Sequence, residues 1–308
     1  MRVGFIGLGM MGLPMAENLA RAAGIDLVVF DRSAEALEKV RAHPAFGTTL
    51  SVAEGIDAFA ACEIVVLMLP DSTVTNAVVL GGEGGRGLVD SLGRGAMVID
   101  MGSSNPADTR TLQARLGQAG VTLVDAPVSG AVAKARAGTL TVLFGGDDLE
   151  FERARPVLEA MGGTFIRAGV VGAAHAMKAL NNYVYAAGLL AVSEVLMTGR
   201  AMGLDANVLA EVLNTSSGRN VATETKLIQF MIPGTFAGGF ALKLMAKDLG
   251  IVDGILKGLR VEAPQAALCT ALWRDAVAAL GPQADNTEIY RFLEQRATIS
   301  KESTHAAD

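Results

Sequence analysis

The sequence predicts an α/β chain in which a doubly wound N-terminal domain is joined by a long interdomain helix to an all-helical C-terminal domain. Two observations predict it. Over the first half, short runs rich in Val, Ile and Leu alternate with helical patterns, the order that yields a mostly parallel sheet covered on both faces. Beyond about Gly172 the strand signals stop and only helical periodicity remains. The expected boundary lies between residues 166 and 167, giving domains 1–166 and 167–308.

Taken in order, the β-branched apolar runs at 3–6, 27–30, 64–69, 97–101, 121–124 and 140–144 read as strands. Helical patterns at 14–23, 34–42, 72–79, 107–119 and 149–161 fill the gaps between them. The segment 173–201 is apolar on most of its faces, so it has to be buried, as the backbone of the second domain and in part between subunits. Further helices are expected at 206–214, 222–231, 240–258, 264–279 and 286–295, and residues 301–308 should fray. Internal repeats and low-complexity linkers are absent from the sequence.

Composition narrows the possible partners. The chain has 308 residues, 51% hydrophobic and 19% charged, which is enough for two domains and a large core. Its formal charge of −6 supplies no attraction to nucleic acid or to an anionic membrane, and a small molecule is the expected ligand. Cys62 and Cys269, far apart in apolar surroundings, read as buried thiols in a reducing, cytoplasmic compartment. The apolar start is broken by three glycines and by Glu17, unlike a signal peptide. The longest later apolar run, 183–192, is half of what a membrane span needs.

The motif Gly7-Leu8-Gly9-Met10-Met11-Gly12 carries the first chemical signal. A G-x-G-x-x-G alone is weak, but here an apolar strand precedes it and a helix is expected to begin near Met10, with its N-terminal N–H groups directed at an anion. A second strand ends on Asp31, 19 residues after Gly12, where a carboxylate accepts hydrogen bonds from both ribose hydroxyls and repels a 2′-phosphate. This is the pattern of a Rossmann-type dinucleotide site. Asp31 favours NAD, while the adjacent Arg32 keeps NADP open.

Hydride chemistry at a carbonyl needs a proton donor. The three histidines are His43 in the nucleotide half, His175, and His305 in the tail; no Tyr is followed four residues later by Lys, and no cluster has zinc-ligand spacing. Lys178 remains, embedded in apolar residues of the long helix with Asn181 and Asn182 at i+3 and i+4. Such a lysine is expensive to bury as an ammonium and is expected to release its proton near neutrality. The competing reading is a lysine whose stem crosses the core and whose head reaches water. His175 shares the face and is a second candidate donor.

Four separated motifs resemble the β-hydroxyacid dehydrogenase family, which includes 3-hydroxyisobutyrate dehydrogenase and tartronate semialdehyde reductase, and the resemblance spans nearly the whole chain. Val3 to Gly12, continuing through Pro14-Met15-Ala16 to Asn18, is similar to the family's cofactor signature. Asp125-Ala126-Pro127-Val128-Ser129-Gly130 with Gly138-Thr139-Leu140 resembles its substrate loop. Gly172, Lys178 and Asn181-Asn182 resemble its catalytic helix, and Leu244-Met245-Ala246-Lys247-Asp248-Leu249 its late lysine–aspartate motif.

The resemblance implies a cofactor site made of Gly7, Gly9, Met10, Met11, Gly12, Asp31 and Arg32, bordered by Leu69, Pro70 and Ser103, with Lys247 near both nicotinamide and substrate. It implies Lys178 as general acid/base, Ser129 and Gly130 on the substrate carboxylate, and Asn181 and Asn182 on the substrate's polar groups. The second half then resembles the C-terminal domain of 6-phosphogluconate dehydrogenase. As competing readings, Pro70 and Ser103 are turn and N-cap residues, and Lys247-Asp248 an exposed helix pair.

This chain departs from the family at Ala131, where a second glycine is usual, and at Gly102, where a serine is usual. Ser216-Ser217-Gly218-Arg219 is similar to a loop of the 3-hydroxyisobutyrate dehydrogenases, with Arg219 available for an acidic group. The expected function is hydride transfer between NAD(P) and a small carboxylate-bearing β-hydroxy acid, in a homodimer or homotetramer. The alternatives are a reductase of glyoxylate, tartronate semialdehyde or succinic semialdehyde on the same fold, and a non-catalytic dinucleotide sensor.

Overall fold

In the computed structural model, backbone is described for residues 1–82 and 85–305 and side chains for 1–82 and 85–297. By backbone contacts the chain divides into two units, Met1–Lys178 and Ala179–Asp308.

Among the described residues, nine strands form one sheet in the first unit. β1 (Arg2–Ile6), β2 (Asp26–Phe30), β3 (Leu50–Val52), β4 (Ile64–Leu67), β5 (Met97–Asp100) and β6 (Thr122–Asp125) lie in the order β3-β2-β1-β4-β5-β6, every neighbour parallel. β7 (Val128–Ser129) and the end of β6 pair antiparallel with β8 (Leu140–Gly145), and β9 (Gly162–Gly169) pairs parallel with β8. The chain leaves β1 first toward β2 and then toward β4 on its other side, so the strand order reverses at β1.

Side chains alternate across the pleat and feed two separate cores. Val3, Phe5, Ile64, Val66, Met97 and Ile99 face one, and Ile6, Val65, Leu67 and Val98 the other. The first core is closed by α1 (Gly12–Arg21), α2 (Ala34–Arg41) and α6 (Asp148–Glu159), through Met15, Leu19, Val40, Val157 and Leu158. The second is closed by α3 (Ser72–Leu80) and α4 (Pro106–Gln118), through Val79, Leu112 and Leu116. α5 (Ala131–Ala137) follows β7 and buries Ala135 against the first core.

α7 (Ala173–Ala201) starts in the first unit and continues into the second. The second unit adds α8 (Ala206–Thr215), α9 (Leu242–Leu259), α10 (Pro264–Leu280) and α11 (Ile289–His305) around a core of Leu189, Leu196, Met245, Leu249, Phe292 and the fully buried Trp273. The tail expected to fray is helical in its backbone as far as His305, and residues 306–308 lie outside the described ones.

Several expectations need correction. α1 begins at Gly12 with Met11 as its N-cap, because Gly9 and Met10 form the turn and the Leu13 N–H is bonded to the Gly9 carbonyl at 3.0 Å. β3, β7 and β9 and the helix α5 were not expected at all. The first two are too short to show a period, and β9 opens on two glycines and is largely exposed. Ala222–Met231 is wound as a π-helix, which apolar spacing over ten residues does not separate from an α-helix.

Candidate active site

The parallel strands bring their carboxyl ends to one edge of the sheet, and the expected nucleotide residues follow those ends: Gly7 after β1, Asp31 after β2, Leu69 and Pro70 after β4, Ser103 after β5. Open sheets of this kind bind ligands along that edge, where the strand order reverses. The amino ends of the strands are joined by turns such as the exposed Gly24, between α1 and β2.

The three glycines of the loop differ in what surrounds them. Gly7 has φ +101°, and a Cβ there would lie 2.3 Å from the Met68 carbonyl oxygen. A Cβ on Gly12 would lie 1.9 Å from the Gly7 carbonyl oxygen, so the helix packs directly on the turn. A Cβ on Gly9 would meet nothing within 4 Å. The outer glycines are thus required by the chain itself, whereas the middle one faces open space. Beside it, the first turn of α1 has neither a side-chain cap nor an acidic residue; its Leu13 N–H is bonded to the Gly9 carbonyl and Pro14 has no N–H, so the Gly12 N–H is the one this turn offers to an anion. A dinucleotide pyrophosphate fits this cradle.

Asp31 is half-buried and already engaged: one carboxylate oxygen accepts the Leu8 N–H at 2.5 Å and the other the Ser33 N–H at 2.7 Å. Each oxygen keeps lone-pair capacity for a ribose hydroxyl. Arg32 is exposed. Ser103 is half-buried and caps no helix, since Asn105 is the N-cap of α4; Asp71, after Pro70, is the N-cap of α3. At Gly102 a Cβ would stand 2.7 Å from the Leu69 carbonyl oxygen, a close approach that a serine there would oppose.

β7 ends on the half-buried Ser129, and Gly130 turns the chain at φ +141°. Ala131 continues in a left-handed conformation, φ +55°, uncommon for a residue with a Cβ. Lys178 is half-buried on the second turn of α7.

Around the start of α7 lies a polar cluster whose coherence was not expected. The Asp125 carboxylate, at the end of β6, accepts the Gly172 N–H at 2.7 Å and the His175 N–H at 2.8 Å. His175 is 1% exposed; its Nδ1 is 2.9 Å from the Thr109 hydroxyl and 3.8 Å from Asp125, and its Nε2 is 3.9 Å from Asp100. Asp100 in turn accepts the Gly102 N–H at 3.0 Å and the Ser104 hydroxyl at 2.7 Å. Burial pushes the Asp125 carboxyl above its ordinary value, and the His175 imidazole and the two N–H groups pull it back. His175 is therefore built into the interior, as a structural histidine is. An aspartate closing an apolar strand was the available signal, because a carboxylate buried there requires donors.

In the second unit, Asn181, Asn182 and Lys247 come together through a residue to which the sequence reading gave no role of its own. The Asn182 Nδ2 donates to Asp248 at 2.5 Å, the Asn181 Nδ2 donates to the Asn182 side-chain oxygen at 3.2 Å, and the Lys247 Nζ pairs with Asp248 at 3.3 Å. Asp248 is 1% exposed and Lys247 half-buried, so the pair is no exposed helix pair. Arg219 is exposed and ion-paired with Glu224. Among the described residues no group of acidic, His or Cys side chains could hold a metal ion, and no helix is long and apolar enough to cross a membrane. Cys62 and Cys269 are buried free thiols.

A doubly wound sheet with this glycine loop defines a dinucleotide-binding protein. The sequence matches two family models, the NAD binding domain of 6-phosphogluconate dehydrogenase over residues 2–172 and the NAD-binding domain of NADP-dependent 3-hydroxyisobutyrate dehydrogenase over residues 172–293. It is 36% identical to the NAD-dependent L-serine dehydrogenase of Pseudomonas aeruginosa, covering 89% of this chain and 91% of that one. It is 32% identical to the 2-(hydroxymethyl)glutarate dehydrogenase of Eubacterium barkeri, covering 97% of each. The solved structure of Mycobacterium tuberculosis 3-hydroxyisobutyrate dehydrogenase with L-serine matches with a TM-score of 0.82 at 29% identity, covering 95% of this chain and 98% of that one. The chain belongs to the β-hydroxyacid dehydrogenase family and is an NAD-dependent dehydrogenase of hydroxy acids, with NADP also compatible.

Proposed function

We propose that this enzyme oxidises a small β-hydroxy acid of the form HOCH2–CH(R)–COO−, 3-hydroxyisobutyrate or a close analogue, to its semialdehyde, with Lys178 as general acid/base. The substrates that name the three relatives share the hydroxymethyl group and the carboxylate and differ in R. This chain has one candidate for each constant group, Ser129-Gly130 for the carboxylate and Lys178 for the hydroxyl. The observation that carries the reading is that Lys178 sits one turn into a helix whose start is bonded to Asp125, four residues before Ser129.

In this mechanism the Ser129 hydroxyl and the backbone N–H groups after it hold the carboxylate. Lys178, as its neutral amine, takes the hydroxyl proton while the adjacent C–H bond yields its hydride, so the alcohol becomes an aldehyde. Bound NAD supplies the hydride acceptor. Gly7, Gly9 and Gly12 with Met10 and Met11 hold the pyrophosphate, Asp31 the adenosine ribose, and Leu69, Pro70 and Ser103 border the nucleotide, with Arg32 beside the 2′ position. Asn181, Asn182 and Lys247 are assigned to polar groups of the substrate. Residues 1–166 form the dinucleotide domain in this reading and 167–308 the substrate and assembly domain. The exposed apolar residues Val184, Val208 and Val212 support a homodimer or homotetramer, which light scattering measures.

Lys178→Ala should lower kcat at least about a hundredfold while leaving NADH affinity, read by fluorescence titration, within about twofold of the unmodified enzyme. Full turnover in that variant removes Lys178 from the chemistry. Initial rates for 3-hydroxyisobutyrate, L-serine and 2-(hydroxymethyl)glutarate, and for glyoxylate and semialdehydes in reverse, with both cofactors, identify R, the working direction and the preferred nucleotide.

A further inference from the structure

Within the unit Met1–Lys178, one buried carboxylate joins the two segments to which the proposed chemistry is assigned. α7 begins after Gly172, a residue with no side chain to cap it. The N–H groups of Gly172 and His175, the N-cap and third helical positions, are donors that a helix cannot satisfy from within. Asp125 takes both, from a strand 47 and 50 residues away in sequence. Room for it is provided at Gly145, where a Cβ would stand 2.2 Å from Asp125 Oδ1. The same carboxylate terminates β6, and the chain runs on through Ala126 and Pro127 into Ser129-Gly130. His175 adds a second tie through Thr109 and toward Asp100, and Lys178 follows His175 at i+3, on the same side of the helix.

We infer that Asp125 is a positioning residue which, by capping α7 from the end of β6, fixes the spacing between the carboxylate-binding loop Ser129-Gly130 and the amine of Lys178. The inference rests on the proposed role of Lys178. Two hydrogen bonds from one rigid strand end set both the axial position and the rotation of the first turn of α7, and therefore where a side chain one turn on is carried. Proton transfer tolerates little displacement of its donor, whereas nucleotide binding at the glycine loop needs nothing from α7.

The test uses Asp125→Asn in the full chain. Asn keeps the shape but offers one acceptor oxygen, and its amide would face one of the two N–H donors. The expected result is a folded protein with NADH affinity within about twofold of the unmodified enzyme and kcat lowered at least about tenfold. The primary deuterium isotope effect, measured with substrate labelled at the hydroxymethyl carbon, should also rise, because a displaced amine slows the chemical step itself. A purely structural residue would lower kcat only in proportion to the fraction of folded enzyme, at an unchanged isotope effect, and that result overturns the inference, as does unchanged kcat.

Asp125→Glu, which keeps charge and both acceptors but lengthens the side chain by one methylene, is read in the same way should the Asn variant not fold. Failure of both to fold makes Asp125 a folding residue and overturns the inference too. Lys178→Ala run in parallel separates the two ideas. If that variant is inactive while both Asp125 variants are normal, only the positioning role fails; if it is fully active, the role of Lys178 fails with it.

Discussion

Gly7, Gly9 and Gly12 are one motif in sequence and three different physical situations. Adding a methyl at Gly7 or Gly12 drives it into a backbone oxygen, at 2.3 and 1.9 Å, and at Gly7 the positive φ adds strain. Alanine at either position should cost at least about 3 kcal/mol of stability. Alanine at Gly9, with nothing within 4 Å, should leave stability within about 1 kcal/mol of the parent and weaken NADH at least about tenfold. Thermal melts with fluorescence titrations on the three variants check both halves, and a normal affinity in Gly9→Ala would place the pyrophosphate elsewhere. Asp31 shows the same division of labour, since it holds the turn through Leu8 and Ser33 and retains capacity for a ribose.

At the scale of elements, the buried Asp248 on α9 ties Asn182 on α7 to Lys247. Asp248→Ala should cost about 2–4 kcal/mol, because it leaves the buried Asn182 amide without this acceptor and removes the carboxylate beside Lys247, and Asp248→Asn should cost less. Chemical denaturation of the two variants measures the difference, and equal, negligible losses would show that the network is dispensable. The sequence did not single out Asp248, because a lysine–aspartate pair on a helix most often faces water. The buried strands and the long helix were legible in the apolar period: β4 and β5 start at the expected residues, β1 ends at the expected one, and α7 has the expected bounds. β9 was not, since an edge strand with the pattern Gly-Gly-Thr-Phe-Ile-Arg-Ala-Gly buries little and shows no alternation. The glycine loop was legible because its spacing directly after an apolar strand is itself a sequence pattern, and Gly7 and Gly12 meet steric demands of the chain. The Asp125 cap was not, because its partners lie 47 and 50 residues away and are backbone groups, which no side-chain pattern reveals.

Over the whole molecule, buried groups that stay neutral when protonated set an alkaline limit. Burial raises Cys62 from 9.0 to about 11, Cys269 from 9.0 to about 12 and Tyr185 from 10.0 to about 12. The fold holds these protons more tightly than the unfolded chain, so their contribution is complete below pH 9 and is lost as pH rises through 9 toward 12. Melting temperature should therefore fall across that interval. At pH 8 iodoacetamide should leave both thiols unmodified in the native protein and label both in urea. Rapid labelling of native protein would contradict their burial.

The arrangement of the sheet has a practical side as well. Its carboxyl edge gathers the glycine loop, Asp31, Leu69-Pro70 and Ser103, whereas its amino edge is closed by surface turns such as the one at Gly24. Under the proposed function the nucleotide lies along the first rim, so a peptide tag or reporter spliced into the exposed turn at Gly24 should leave NADH affinity, read by fluorescence titration, within about twofold of the parent. In that reading the turn at Gly24 is a handle for immobilising the enzyme on the side away from its cofactor.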